Sequence, residues 1–224
     1  MIIVTGDTHG EQGRFNYLAT QGETEWTEND YLIVSGDFGY LFLNDSYENV
    51  FLNHLEEKPY TICFVDGNHE NHVALNEFPV EIWNGGKIHR IRKNVIHLMR
   101  GQIFEIDGKK ILTFGGAYSR DRAQRTEGYS FWREEIPNES EFKEATENIK
   151  AHNFEVDYVI THTAPSEIIR KMGKKPDPHD VEFTGFLEWI MYEVKFKKWF
   201  FGHWHEDRYI DDKFRALLFD VEVI

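Results

Sequence analysis

The 224-residue chain has a single cysteine, Cys63, and no long apolar run. One cysteine cannot form a disulfide within the chain, which favours a reducing, intracellular location. No apolar run approaches the ~18 residues that a membrane-spanning helix needs, and no basic leader precedes the polar turn at residues 6–7. We therefore expect a cytoplasmic protein that crosses no membrane.

Positive charge is also scarce. The chain has 25 Lys and Arg against 39 Asp and Glu, which gives a formal net charge of −14. Such a chain repels long nucleic acids and acidic membrane surfaces, so we expect neither as a partner. A small anionic ligand is still compatible with this charge, because physiological salt screens fields beyond ~8 Å and a local cluster of cations can override the global sign.

Repeats, low-complexity tracts and Ser- or Gly-rich linkers are absent as well, so we predict a single domain over residues 1–224. Hydrophobic residues make up 41% of the chain and aromatic residues 15%, which indicates a well-filled core and excludes a disordered chain. The oligomeric state is not predicted.

Short apolar runs rich in Ile, Val and Phe alternate with amphipathic segments. Eight of these runs are predicted strands: MIIVT, YLIVS, TICFV, IFEI, KKILTF, DYVIT, KKWFFG and RALLF. Most are continuously apolar, which is typical of strands covered on both faces. Three segments with one apolar face are predicted helices: NDSYENVFLNHLEE, NESEFKEATENIKAHN and TGFLEWIMYEV.

Two hairpins are predicted among these strands. Asp107 and Gly108 form the turn between IFEI and KKILTF. A second hairpin is expected within RYIDDKFRALLF, where it would close the chain. Together with the βα alternation, the hairpins predict an α/β fold with mixed sheets layered with helices.

Metal-binding side chains follow five of the predicted strands. They are Asp7 and His9, Asp37, Asn68 with His69, His162, and His203 with His205. Because the carboxyl ends of strands line one crevice in open α/β sheets, we expect these clusters to converge. Each cluster alone could be a hydrogen-bonded turn, but five at equivalent positions favour a site.

The chemistry of the set is coherent, since it offers oxygen and nitrogen donors and no thiolate. Such donors suit Mn²⁺, Fe, Co²⁺, Ni²⁺ or Zn²⁺. Seven ligands are too many for one ion that must keep an open position. They fit two ions if one carboxylate bridges.

The motif series GDTHG, GDFGY, DGNHE, VITH and GHWH resembles the calcineurin-like metallophosphoesterase superfamily in order and spacing, across nearly the whole chain. The resemblance implies a four-layer αββα fold, in which two mixed β-sheets pack as a sandwich flanked by helices. It also implies two ligand sets that share a bridging Asp37. One set is Asp7, His9, Asp37 and His205, and the other is Asp37, Asn68, His162 and His203. His69 would be the catalytic residue that protonates or steadies the leaving oxygen.

This family resemblance implies a binuclear metal-dependent hydrolase of phosphate esters. A metal-bridging hydroxide would attack phosphorus in line, with the substrate oxygens held by the ions. We expect two divalent ions, Mn²⁺ before Fe, Zn²⁺, Ni²⁺ or Co²⁺, and a small phosphorylated substrate. The sequence leaves open whether a monoester or a diester is cleaved.

Two motifs differ from better-known branches of the superfamily. Protein Ser/Thr phosphatases grip phosphate with an arginine after the second motif and another before GNHE, but here no arginine closely follows Asp37 and Asp66 occupies the later position. Protein phosphatase activity is thus a minor alternative. GDFGY is similar to the purple acid phosphatase motif with a ligating tyrosine, but since His9 would occupy that position we expect Tyr40 to pack or to line the cleft.

The segment GGAYSRDRAQRTEGYSFW contains the densest positive cluster of the chain. Its candidate substrate contacts are Arg120, Arg122 and Arg125. Its aromatic residues, which could stack on a base, are Tyr118, Tyr129 and Trp132. A solvated loop explains the segment equally well. The other functions left open are a nucleotide or dinucleotide polyphosphate hydrolase, a nuclease and a non-catalytic scaffold.

Overall fold

Two mixed β-sheets form the centre of the structure, a computed structural model that describes residues 1–224. The first sheet has seven strands: β1 (Ile2–Thr5), β2 (Tyr31–Val34), β3 (Thr61–Phe64), β4 (Val80–Trp83), β5 (Gly86–Arg90), β6 (Val95–Leu98) and β13 (Val221–Val223). The second has six: β7 (Gln102–Ile106), β8 (Lys109–Phe114), β9 (Tyr158–Thr161), β10 (Lys198–Phe201), β11 (Arg208–Tyr209) and β12 (Phe214–Ala216).

Each sheet has a parallel centre and antiparallel edges. The first sheet has the order β13-β1-β2-β3-β6-β5-β4, in which β1, β2, β3 and β6 are parallel. The second has the order β11-β12-β10-β9-β8-β7, in which β12, β10, β9 and β8 are parallel.

Six α-helices cover the outer faces of the sheets: α1 (Gln12–Thr20), α2 (Ser46–Glu56), α3 (His72–Glu77), α4 (Glu139–Ala151), α5 (Ser166–Lys171) and α6 (Val181–Glu193). The helices α1 to α3 pack on the first sheet and α4 to α6 on the second. None of the helices combines the length and apolar character that crossing a bilayer requires.

Three apolar cores separate these layers. On β1, Ile2 and Val4 point into the core between the sheets, where they join Phe104 and Ile160 of the second sheet. Ile3, between them, packs under the helices of the first sheet. This alternation buries both faces of the strand, which explains its uninterrupted apolar sequence. The predicted two-sheet sandwich flanked by helices is confirmed.

The structure also corrects the predicted elements. The second hairpin forms from β11 and β12, but it does not close the chain, because β13 follows and pairs with β1 in the other sheet. The RALLF strand is shorter and ends at Ala216. The helices α1, α3 and α5 were not predicted. Only Arg14, Phe15 and Leu18 of α1 are buried, so its apolar stripe is weak.

The strands that precede the predicted ligands are neighbours in each sheet. The strands β1, β2 and β3 are adjacent and parallel in the first sheet, and β9 and β10 are adjacent and parallel in the second. Their carboxyl ends therefore open onto one edge of the sandwich, where ligands bind in α/β folds.

Candidate metal centre

Four predicted ligands from three separate segments meet at this edge. The ligand atoms of Asp7, His9, Asp37 and His205 all lie within 4.8 Å of one another. The Nε2 atoms of His9 and His205 are 3.0 Å apart, and Nε2 of His205 is 3.4 Å from Oδ2 of Asp7. These four donors could hold a metal ion.

The other three predicted ligands gather on the opposite side of Asp37. Oδ1 of Asn68 lies 3.1 Å from Nε2 of His162 and 3.0 Å from Nδ1 of His203. Nε2 of His162 lies 3.3 Å from Oδ1 of Asp37, whereas Oδ2 of Asp37 lies 3.8 Å from Nε2 of His9. The two oxygens of Asp37 thus face the two groups.

Hydrogen bonding outside the second group shows that its donors fit a cation. Nδ1 of His162 lies 3.1 Å from the carbonyl oxygen of Ser35, so Nδ1 carries a hydrogen and, in the neutral ring that binds metals, Nε2 carries a lone pair. That lone pair faces the amide oxygen of Asn68 with no hydrogen between them. Two acceptors at 3.1 Å repel each other unless a positive charge lies nearby, as in a histidine metal ligand fixed by its second nitrogen.

Four of the seven predicted ligands have left-handed backbone conformations. The φ angles are 50° for His9, 45° for Asp37, 65° for His203 and 52° for His205. Each such residue costs roughly 1–3 kcal/mol and persists only where its surroundings fix it, typically at functional sites. Four of the nine non-glycine residues with positive φ angles are thus predicted metal ligands.

Two glycines allow the loops to approach one another. A Cβ atom on Gly67 would lie 2.1 Å from Oδ1 of Asp37 and 2.8 Å from Nε2 of His162. A Cβ atom on Gly202 would lie 1.9 Å from Oδ1 of Asp7. Any larger residue at these positions would displace a ligand.

Glu70, the last residue of the GNHE motif, was not predicted as a site residue. It is fully buried and accepts hydrogen bonds from the backbone amides of Gly39, at 2.8 Å, and Gly67. Burial, together with the charge of Asp37, raises its pKa. The side chain ties the loop after β2 to the loop after β3. A carboxylate within the motif was the signal that could have identified it.

Burial dominates the electrostatics of the centre. It raises the pKa of Asp7, with help from Asp37. Burial opposes ionisation of Asp37 too, but the nearby imidazoles, above all His162, hold its pKa below the usual range. Burial lowers the pKa of His9 to about 4 and that of His203 well below its usual value. These imidazoles are therefore neutral at pH 7, as metal ligands must be.

A polar pocket of about 270 Å³ opens beside the second group, and His69 lies on its wall. Its cationic residues are Arg120, Arg125 and Lys174. Nη2 of Arg125 lies 2.8 Å from Nε2 of His69, and Nε of Arg125 pairs with Asp121 at 2.7 Å. Two of the three predicted substrate arginines thus reach the pocket.

The third arginine has another partner. Arg122 is not among the residues that line the pocket, and its Nη2 lies 2.8 Å from Oε1 of the fully buried Glu135. Its guanidinium also stacks on the rings of Tyr118 and Phe131, at 4.7 and 4.5 Å. Arg122, which the sequence predicted as a substrate contact, is thus engaged with Glu135 and lies outside the pocket lining.

Tyr40 packs, as expected. It is 1% exposed, lies against Phe38 and Phe51, and donates its hydroxyl hydrogen to the carbonyl oxygen of Glu11 at 2.7 Å. Asp66, which stands where protein phosphatases have an arginine, is buried and pairs with Arg100 at 2.6 Å. Neither side chain is positioned to bind substrate.

One of two comparisons with known proteins found a match. The comparison with curated proteins found none. The family model described as calcineurin-like phosphoesterase matches residues 1–207, which are most of the chain and include all seven predicted ligands. The chain therefore belongs to the calcineurin-like phosphoesterase family and is a metal-dependent hydrolase that acts on phosphoric ester bonds.

Proposed function

We propose that the protein hydrolyses small phosphate esters at a centre of two divalent metal ions. The observation that carries the proposal is the position of Asp37, whose Oδ2 faces His9 and whose Oδ1 faces His162. One carboxylate placed in this way can bridge two ions. Mn²⁺ is our first choice of metal, and Fe, Zn²⁺, Ni²⁺ and Co²⁺ are the alternatives that the donor set also suits.

Each ion has its own ligands in this proposal. Asp7, His9 and His205 would hold the first and Asn68, His162 and His203 the second, with Asp37 shared. When bound, the ions would supply a water of lowered pKa and Lewis-acid contacts to the phosphate oxygens. No covalent nucleophile is required, and Cys63 is fully buried with a raised pKa caused by that burial.

Protein groups beside the centre would bind the substrate. Arg120 and Arg125 line the pocket next to Asn68 and His69, and an arginine can hold a phosphate with two parallel hydrogen bonds. These two residues would replace the clamp that is missing from the GDFGY and GNHE motifs. His69 would handle the proton of the leaving oxygen, because its imidazole lies on the pocket wall and an imidazole nitrogen can accept or donate a proton.

Nucleobase recognition has less support. One face of the Tyr118 ring is stacked on His179 at 4.5 Å, and Arg122 also lies over the ring. Trp132 is 3% exposed, and Trp204, at the pocket wall, is 7% exposed beneath Arg120. Tyr129 is 68% exposed but does not line the pocket. Since stacking on a base needs a free ring face at the pocket, we favour substrates held through phosphate over nucleotides. The nucleotide hydrolase and nuclease alternatives follow, and protein phosphatase and scaffold remain minor.

A substrate panel tests the proposal. The Mn²⁺-loaded protein should hydrolyse p-nitrophenyl phosphate or bis-p-nitrophenyl phosphate, and Asp37→Asn should abolish the activity because it weakens the shared ligand. Dinucleoside polyphosphates and cyclic nucleotides belong in the same panel. Full metal loading without hydrolysis of any phosphate ester would contradict the proposal. The cytoplasmic location stays a prediction.

A further inference from the structure

The Asn68 side chain can serve the centre in only one of its two orientations. Its amide has an oxygen that binds metals and an NH₂ group that cannot, and the two ends are nearly equal in size. The oxygen faces His162 and His203 at 3.1 and 3.0 Å. A reversed amide could donate to the lone pair of His162, so the contact with His162 does not by itself fix the metal-binding orientation.

Ser119 provides that cause. The Nδ2 atom of Asn68 lies 3.3 Å from Oγ of Ser119, and Oγ lies 2.8 Å from Oε2 of Glu135. A hydroxyl has one hydrogen, which here is donated to the carboxylate. Oγ can therefore only accept from Asn68, which requires the NH₂ end of the amide at this position.

The carboxylate of Glu135 accepts hydrogen bonds from its neighbours. Its side chain is fully buried, and Oε1 accepts from the backbone amide of Ser119 at 2.9 Å and from Nη2 of Arg122 at 2.8 Å. Burial raises the pKa of Glu135, whereas the bonds from Ser119 and the charge of Arg122 oppose that shift and favour the ionised carboxylate, which has no hydrogen to give back to Ser119. Arg122 thus lies at the far end of a series of hydrogen-bonded side chains that runs through Glu135 and Ser119 to Asn68.

We propose that Ser119, fixed by Glu135, is a positioning residue that holds the amide oxygen of Asn68 toward the metal centre. The inference rests on the proposed two-ion function and adds a residue outside the ligand sets. It also explains why only two of the three clustered arginines reach the pocket. Outer hydrogen-bond partners of metal ligands commonly affect metal affinity by about 10–100-fold.

A double-mutant cycle tests this role. Ser119→Ala should weaken the binding of one of two Mn²⁺ ions by about 10–100-fold, measured by isothermal titration calorimetry and by competition with a chromophoric chelator. In the Asn68→Asp background the same substitution should change affinity less than about threefold, because a carboxylate offers an oxygen in either orientation. The coupling distinguishes orientation of the amide from general support of the loop.

Ser130→Ala is the matched control. Ser130 lies in the same segment and accepts from the backbone amide of Thr126 at 2.8 Å, but it contacts no predicted ligand. The Ser130→Ala substitution should leave the affinity for Mn²⁺ unchanged. Equal losses from Ser119→Ala in both backgrounds, or no loss in either, would overturn the inference while two-ion binding by the unsubstituted protein stands. Binding of fewer than two ions by the unsubstituted protein would overturn the proposed function and this inference with it.

Discussion

Arg125 donates a hydrogen bond from Nη2 to Nε2 of His69 over 2.8 Å. An arginine cannot accept, so Nε2 holds a lone pair and the neutral ring carries its hydrogen on Nδ1. Burial lowers the pKa of His69, and the charge of Arg125 lowers it further. The nitrogen nearest the pocket arginines therefore cannot act as an acid until Arg125 turns to another acceptor and Nε2 takes up a hydrogen. A substrate phosphate is such an acceptor.

His69→Ala should lower kcat by about 10²–10⁴-fold, the usual contribution of a general acid or base, and leave two metal ions bound. His69 donates only its backbone amide to Asp37, at 2.7 Å, and the substitution keeps that amide. Steady-state kinetics and elemental analysis on the same sample measure both quantities. Loss of both metals from His69→Ala would show that the side chain supports the centre rather than the proton transfer.

The three clustered arginines should separate by phenotype. Arg120→Ala and Arg125→Ala should raise KM for a phosphate ester with little change in stability, because both side chains line the pocket. Arg122→Ala should instead lower the free energy of unfolding by about 3 kcal/mol, because it leaves the carboxylate of Glu135 buried without its ion pair. Substrate kinetics and urea denaturation distinguish the two classes. Equal KM effects at all three positions would contradict the assignment.

Gly67→Ala should abolish metal binding in a folded protein. The added Cβ would lie 2.1 Å from Oδ1 of Asp37, so the bridging carboxylate must move. Gly185→Ala is the control, since a Cβ there meets nothing within 4 Å and the residue lies within α6. Gly185→Ala should therefore stabilise the protein, because alanine in a helix interior is more favourable than glycine by about 1 kcal/mol. Full metal occupancy in Gly67→Ala, measured by elemental analysis, would contradict the close approach.

Asp180 should make stability depend on pH. It is 4% exposed, and Oδ1 has no hydrogen-bond partner. Burial raises its pKa to about 6 from the ordinary 3.8. Because the folded state binds the proton more tightly, the contribution of Asp180 to stability is largest below pH 4 and is lost as pH rises through 6.

Asp180→Asn removes the free-energy cost of ionising this buried carboxyl group at neutral pH. At pH 7.5 it should raise the free energy of unfolding by about 1–3 kcal/mol, and the gain over the unsubstituted protein should shrink toward pH 4. Denaturant unfolding at several pH values measures the difference. Asp212→Asn, at an exposed position, should show no such trend. A gain that is constant with pH would refute the role of the Asp180 charge.

Local sequence patterns predict much of this architecture. The parallel strands are continuously apolar because both faces are buried, as Ile2, Ile3 and Val4 show. The Asp107-Gly108 pair predicted its hairpin because these residue types favour the positive φ angles of a tight hairpin turn. In the structure the two φ angles are 49° and 69°. The candidate metal ligands could be predicted as a group because each follows a strand that ends at the same edge.

Other features depend on contacts between distant segments. β13 was missed because only its pairing with β1, more than 200 residues earlier, makes Val221–Val223 a strand. Ser119 and Glu135 carry no motif, and their proposed role follows from the contacts of Ser119 with Asn68 and with Glu135. The three arginines look alike in sequence, but only the buried position of Glu135 distinguishes Arg122 from the other two.

Anomalous diffraction from crystals of the Mn²⁺-loaded protein tests the central claim most directly. The account predicts two manganese peaks, one among Asp7, His9 and His205 and one among Asn68, His162 and His203. Asp37 should lie between them, with one oxygen toward each peak. A single peak, or two peaks of which neither contacts Asp37, would contradict a shared carboxylate and the two-ion chemistry proposed from it.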